Sequence, residues 1–184
     1  FFVRHTTIII VLNMTTTTTP DQLHPNLVVC PNKALPCLFT IIRNKDTSSV
    51  DFARAAKRIS RLLVEEALAE LPTKTQTIQT PCGPFEGTVS ALPGDDFSET
   101  LCAVSIVRSG DALVDVVREI DPSIPVGKIL IQRDETTALP KLYYSKMPKT
   151  NMENRYILLC DPMLATGGSA CMAIDTLLKQ PHYP

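Results

Sequence analysis

The sequence predicts an α/β fold, a mainly parallel sheet flanked by helices with a β-hairpin flap. Three observations carry that expectation. Near-continuous apolar runs at 101–107, 128–132 and 156–160 suit strands buried on both faces of a parallel sheet. Segments of helical period lie between or after them, at 111–119 and 170–179, and a longer one precedes them at 48–71. A stretch rich in Pro and Gly, 73–100, holds two short runs, 75–80 and 85–89, that read as strands joined by a turn at Cys82-Gly83.

Taken in order, residues 1–26 are expected to be a leader without regular order. They include Met14 and the threonine run at 15–19. The apolar run at 8–12 is too short to cross a bilayer and lacks the layout of a secretory signal. Residues 27–184 are expected to form a single domain, as the length of 184 residues suggests. Residues 38–42 are a short apolar run after Pro31 and Pro36. Ser48 with Asp51 fits a capping box and predicts a helix over 48–71, with Phe52, Ala55, Ala56, Ile59, Leu62, Leu63 and Leu68 inward. Arg54, Arg58 and Arg61 line another face, read as solvated, with Arg61 and Glu65 spaced to pair. Pro72 ends that helix. In the helix at 111–119, Leu113, Val116 and Val117 point inward. Residues 133–154 read as a long polar segment with Pro140 and Pro148. The last helix turns Ala173, Ile174, Leu177 and Leu178 to the core.

Composition excludes some functions. The formal net charge is −1, so no basic field favours nucleic acid. The six cysteines form no C-x-x-C pair, and Cys102 and Cys160 sit in apolar strand-like runs. They read as reduced thiols of a cytoplasmic protein. His5, His24 and His182 have no metal-ligand spacing, and no metal site is expected among the side chains.

The chemistry concentrates at one place. The run Tyr156-Ile157-Leu158-Leu159-Cys160 ends in Asp161, a loop with adjacent glycines follows, and a helix begins. Glycines let a backbone approach a phosphate and turn N–H groups toward it. A helix N-terminus adds partial positive charge. Thr166 and Ser169 offer hydroxyls, and a carboxylate at a strand's end can accept from sugar hydroxyls. Ligands of open α/β sheets bind at the carboxyl ends of the strands. These features suit a sugar phosphate. The loop is neither a Walker loop nor G-x-G-x-x-G. The same pattern also fits a plain strand-to-helix turn, and the residues alone leave both readings open.

The run Asp161, Pro162, Met163, Leu164, Ala165, Thr166, Gly167, Gly168, Ser169 resembles the phosphoribosyl-diphosphate signature of the uracil phosphoribosyltransferases. Ser105-Ile106-Val107-Arg108-Ser109-Gly110 is similar to the family's strand-to-loop arginine motif. The segment from Gly127 through Arg133 to Glu135 is similar to its second arginine motif, and 138–144 follows in family order. The resemblance covers roughly 27–180 and is closest to the eukaryotic, fungal-like branch. It implies a type I phosphoribosyltransferase-like fold. It also implies the conversion of uracil and 5-phosphoribosyl 1-diphosphate (PRPP) to UMP and diphosphate, a step of pyrimidine salvage. Arg108 and Arg133 would bind the diphosphate, and 161–169 would hold the ribose 5-phosphate. Asp161 and Arg133 would carry the catalytic roles. Mg²⁺ would be held mainly through PRPP. GTP, an effector in some relatives, would meet Arg118 and Arg155. A homodimer or homotetramer, with no membrane or nucleic-acid partner, is the implied setting.

The chain also departs from the family. Residues 179–184 do not resemble its continuation, so the closing strands and the uracil-recognition segment have no counterpart, and no uracil-binding residue is assigned. Thr136 and Ser109 replace a usual Glu and a common Ala. The domain is therefore expected to be incomplete at its C-terminus and catalytically poor. The competing expectation is a non-catalytic binding module or inactive fragment, like the domain that ends some uridine kinases. A hydrolase reading lacks G-x-S-x-G and any paired histidine.

Overall fold

A computed structural model describes residues 9–11, 27–92, 97–134, 136–137, 139–149, 152 and 155–179. Met14, the threonine run, Pro93, Gly94, Glu135, Ala138 and the tail at 180–184 lie outside the described residues, as does most of the expected leader. Within that leader Ile9–Val11 forms β1, which pairs in parallel with β2, Leu27–Val29.

The first helix forms where the sequence reads only as a short apolar run. The apolar run at 38–42 belongs to α1, Leu35–Arg43, with Pro36 in its first turn. Proline is tolerated there because those N–H groups have no intrahelical acceptor. The Asn32 side chain accepts from Ala34 N at 2.9 Å just ahead of the helix. The next helix, α2, spans Ser49–Ala69. Ser48 caps it as expected, accepting from Asp51 N at 3.1 Å and donating to Asp51 Oδ2 at 2.7 Å. Ala55 and Ile59 face inward as predicted, joined by Val64 and Ala67. Phe52, in the first turn of α2, does not and is exposed. Arg61 pairs with Glu65 at 3.6 Å, and Lys57 reaches Glu119 at 2.6 Å.

The hairpin is present. β3, Thr73–Thr80, and β4, Gly83–Ser90, pair antiparallel from Thr73↔Ser90 to Thr80↔Gly83. They form a separate two-stranded sheet, and both strands are largely exposed. Gly83 sits at φ +121°, a conformation glycine adopts without strain.

A short α3, Phe97–Thr100, leads into the main sheet. Its strands are β5 (Leu101–Val107), β6 (Val126–Arg133), β7 (Pro140–Lys146) and β8 (Tyr156–Cys160), in the order β7-β6-β5-β8. The inner pairs are parallel, and β7 is antiparallel to β6. Part of the polar 133–154 segment is therefore an edge strand. It opens with a proline, carries lysines and bulges at Tyr143, where the register on β6 shifts between Leu130 and Ile131, all edge-strand features. Between β6 and β7 the Asp134 carboxylate accepts from Thr136 N and Thr137 N, each at 3.0 Å, and fixes the turn.

Side chains of β5 alternate between two cores. Leu101 and Ala103 pack with Leu158 and Cys160 against α2 and α4, Asp111–Ile120. Cys102, Val104 and Ile106 pack with Ile157 and Leu159 against Ala173 and Leu177 of α5, Gly168–Leu178. Leu178, expected to face inward, is exposed near the end of α5. Cys102 and Cys160 are buried as expected, and burial pushes both thiols up to about 12. All six cysteines are free. Among the described residues no helix is long and apolar enough to cross a membrane.

Candidate active site

Because β5, β6 and β8 are parallel, their C-terminal ends open on the same edge of the sheet. Arg108 follows β5, Arg133 ends β6, and Asp161 follows β8. Three motifs separate in sequence are thus brought to neighbouring loops, the place where such sheets bind ligands.

Close backbone approach makes this possible. A Cβ on Gly110 would lie 2.3 Å from Cys160 O and within 2.8 Å of Ile106 N and O. Glycine lets the β5 loop press against the end of β8, directly before Asp161. Arg108 is exposed and joined to Val107 by a cis peptide bond.

The loop at 161–169 is a tight turn. Gly167 N donates to Leu164 O at 2.8 Å, and Cys171 N donates to Gly167 O at 2.8 Å as α5 begins. Gly167, the N-cap, has φ +77°, and Ala165 has φ +47°. For a non-glycine residue the left-handed region costs about 1–2 kcal/mol, a strain of the kind that gathers at ligand-binding turns. The first turn of α5 then faces out with N–H groups that have no intrahelical acceptor.

Side chains cross-link the loops. Arg133 donates to Thr166 Oγ1 at 3.1 Å, joining the end of β6 to the glycine-rich turn. Asp161 Oδ1 accepts from Met163 N at 3.2 Å and from the Ser109 hydroxyl at 3.4 Å. Asp161 is half-buried. Burial raises its pKa above the usual carboxylate value, against the two donors, which lower it. Pro140, at the start of β7, lies against Gly168, where a Cβ would stand 3.6 Å from its ring. Pro162, Met163, Ala165 and Thr166 are exposed, while Leu164, Gly168 and Ser169 are partly covered.

Ser109 is the site residue that sequence reasoning missed. Its only signal was a hydroxyl beside the first arginine. Asp111 and Lys128 form a second unforeseen pair, at 3.0 Å. Ser105 Oγ lies beside that carboxylate without full hydrogen-bond geometry. Burial opposes ionisation of Asp111, but Ser105 and Lys128 outweigh it and lower its pKa.

The two arginines grouped as effector contacts are placed differently. Arg155 is buried, and its guanidinium donates to Ser98 O and, at 3.1 Å, to Leu101 O. Arg118 instead lines an open groove of about 700 Å³ between α4 and the β6–β7 pair, with Lys128, Lys146, Lys149 and Tyr144.

Comparison with known proteins identifies the family. A family model described as uracil phosphoribosyltransferase matches residues 29–183. The uracil phosphoribosyltransferase of Saccharomyces cerevisiae is 49% identical over 147 residues, covering 80% of this chain. The chain spans 65% of the length of that relative. An Arabidopsis thaliana protein named uridine/cytidine kinase UKL1, chloroplastic, is 37% identical over 160 residues, covering 86% of this chain and 32% of the kinase. The solved AQ2163 protein of Aquifex aeolicus superposes with a TM-score of 0.63 at 25% identity, covering 93% of this chain and 70% of that one. With its motifs assembled at one sheet edge and the family model matching most of its length, the chain belongs to the uracil phosphoribosyltransferase family.

Proposed function

We propose that the chain binds PRPP at the 161–169 loop and transfers its phosphoribosyl group to uracil, releasing diphosphate and forming UMP. The observation that carries this reading is the convergence of Arg108, Arg133 and Asp161 on one sheet edge, with Arg133 bonded into the loop at Thr166. In the reaction the bond from the anomeric carbon to diphosphate breaks as the bond to the uracil nitrogen forms, and that nitrogen loses its proton. Positive charge grows on the sugar, as in glycoside chemistry. No protein nucleophile is required, so the work is positioning and electrostatic stabilisation.

Each group has a part. Arginine's rigid fork suits diphosphate oxygens, which assigns Arg108 and Arg133. Backbone N–H groups of the loop, with the Thr166 and Ser169 hydroxyls, suit the 5-phosphate. Pro162, Met163, Leu164 and Ala165 shape the turn. Asp161 accepts from ribose hydroxyls and places a negative charge near the developing cation. Mg²⁺, bound mainly through PRPP, would offset charge on the departing diphosphate. The setting proposed is pyrimidine salvage in the cytoplasm, in a homodimer or homotetramer. Ile78 and Phe85, exposed and facing one another across the hairpin, support an assembly. GTP is proposed as an effector, and the Arg118 groove, with its lysines and Tyr144, is the place to test it.

A thermal-shift titration with Mg²⁺ and PRPP tests the reading. At one hundred times its dissociation constant a ligand adds about 2.7 kcal/mol of stability. The parent chain should show a dose-dependent rise that an Arg108→Ala, Asp161→Ala double variant loses. A folded parent without any rise sinks the reading. The kinase likeness supports a second reading, a binding module without turnover. PRPP binding with no UMP formed from labelled uracil would favour it.

A further inference from the structure

We infer that Ser109 is a positioning residue for Asp161, holding one carboxylate oxygen so that the other is presented to the bound sugar. The inference rests on the PRPP reading above. Both donors to Asp161 meet the same atom: Met163 N and Ser109 Oγ each bond Oδ1, at 3.2 and 3.4 Å. Oδ2 accepts nothing among the described residues. A free carboxylate turns about its last bond, and its two oxygens are equivalent. Two donors on one oxygen remove that equivalence and aim Oδ2.

The two donors are not redundant. Met163 lies in the loop of Asp161 itself and holds the carboxylate wherever that loop goes. Ser109 belongs to the β5 loop, beside Arg108. Its hydroxyl is the direct side-chain link between the loop of the first arginine and the carboxylate, across 52 residues. It fixes the carboxylate relative to Arg108, the geometry that binding ribose and diphosphate together requires. No cation pairs with Asp161 among the described residues. Hydrogen bonds, rather than an ion pair, therefore set its orientation.

The test compares the full chain with Ser109→Ala and Ser109→Thr. Mg²⁺–PRPP affinity is measured by titration calorimetry at neutral pH, and the Asp161 carboxyl is titrated by ¹³C NMR without ligand. Losing a hydrogen bond to a charged group should weaken binding roughly tenfold in Ser109→Ala. The carboxyl midpoint should rise, because a donor to the ionised form is gone. Ser109→Thr keeps the hydroxyl and should restore both. A serine that merely fills space would leave the midpoint unmoved, and that result overturns the inference. So does a raised midpoint with unchanged affinity. If the parent binds no PRPP, the functional reading itself fails and this role falls with it, whatever the titration shows.

Discussion

At the scale of single residues, two glycines show how neighbouring atoms decide the cost of a methyl group. Gly110 has an ordinary helical φ of −61°, so backbone freedom is not its reason for being glycine. Space is, because all three nearest atoms to a Cβ there are backbone, the closest at 2.3 Å. Strands β5 and β8 would have to part. Gly110→Ala should lose about 1–3 kcal/mol, in the overpacking range, and loosen the loops holding Arg108 and Asp161. A Cβ on Gly127 would meet Met147 Sδ at 2.6 Å, the end of a flexible side chain. Gly127→Ala should cost under about 1 kcal/mol, since Met147 can turn away. Urea unfolding of both variants checks the order, and equal losses would refute the steric account. Asp161 carries a second prediction. Its folded pKa is raised, so between the unfolded and folded values the native state holds more protons. Stability therefore falls as pH rises through that window. Asn at this position can accept the same two bonds at Oδ1 without a charge to bury. Asp161→Asn should raise the melting temperature at neutral pH, leave it nearly unchanged in acid and abolish the PRPP response. A melting temperature lowered at neutral pH would contradict this. How far the site was legible in the sequence also shows here. The loop at 161–169 could be read because its chemistry is contiguous. The Ser109–Asp161 bond could not, because it forms only when β5 and β8 pair.

At the scale of elements, the same distinction separates hairpin from sheet. The hairpin was legible from its turn at Cys82-Gly83 and the two short runs beside it. α1 was not, because its apolar run is too short to tell a buried strand from a buried helix. β7 was missed because an exposed edge strand has no core to impose alternation, and Tyr143, between the paired Leu142 and Tyr144, is the extra residue of its bulge. The hairpin is exposed on both sides, and a lone two-stranded sheet contributes little stability. Phe85→Ser should therefore change the stability of the dilute chain by less than about 0.5 kcal/mol. Leu158→Ala, in buried β8, should cost about 2–5 kcal/mol. A Phe85→Ser loss as large as that of Leu158→Ala would mean the hairpin is packed on the core or on another copy. Concentration dependence tells those two apart.

At the scale of the whole molecule, the sheet is asymmetric. Strand β5 has partners on both sides, β6 and β8, and its side chains are covered by helices on both faces. β6 is flanked by β5 and β7. β8 is as buried as β5 on its faces, yet among the described residues it pairs only with β5. Buried faces give β8 its place in the core, whereas protection of its amides depends on the edge. In a parallel ladder alternate amides point to opposite neighbours. Every second amide of β8 therefore points outward from the sheet. Amide exchange in the dilute chain should show β5 protected along its length, opening only with global unfolding. β8 should alternate between slow and fast positions. Raising the protein concentration separates two explanations for any departure. Fast positions that slow as concentration rises would show that another copy covers the edge, the hazard of an open strand. Uniform slow exchange in β8 at every concentration would overturn the prediction and place a further segment of the same chain against it. An alternating pattern would confirm that the 161–169 loop, which springs directly from β8, hangs on a strand anchored from one side.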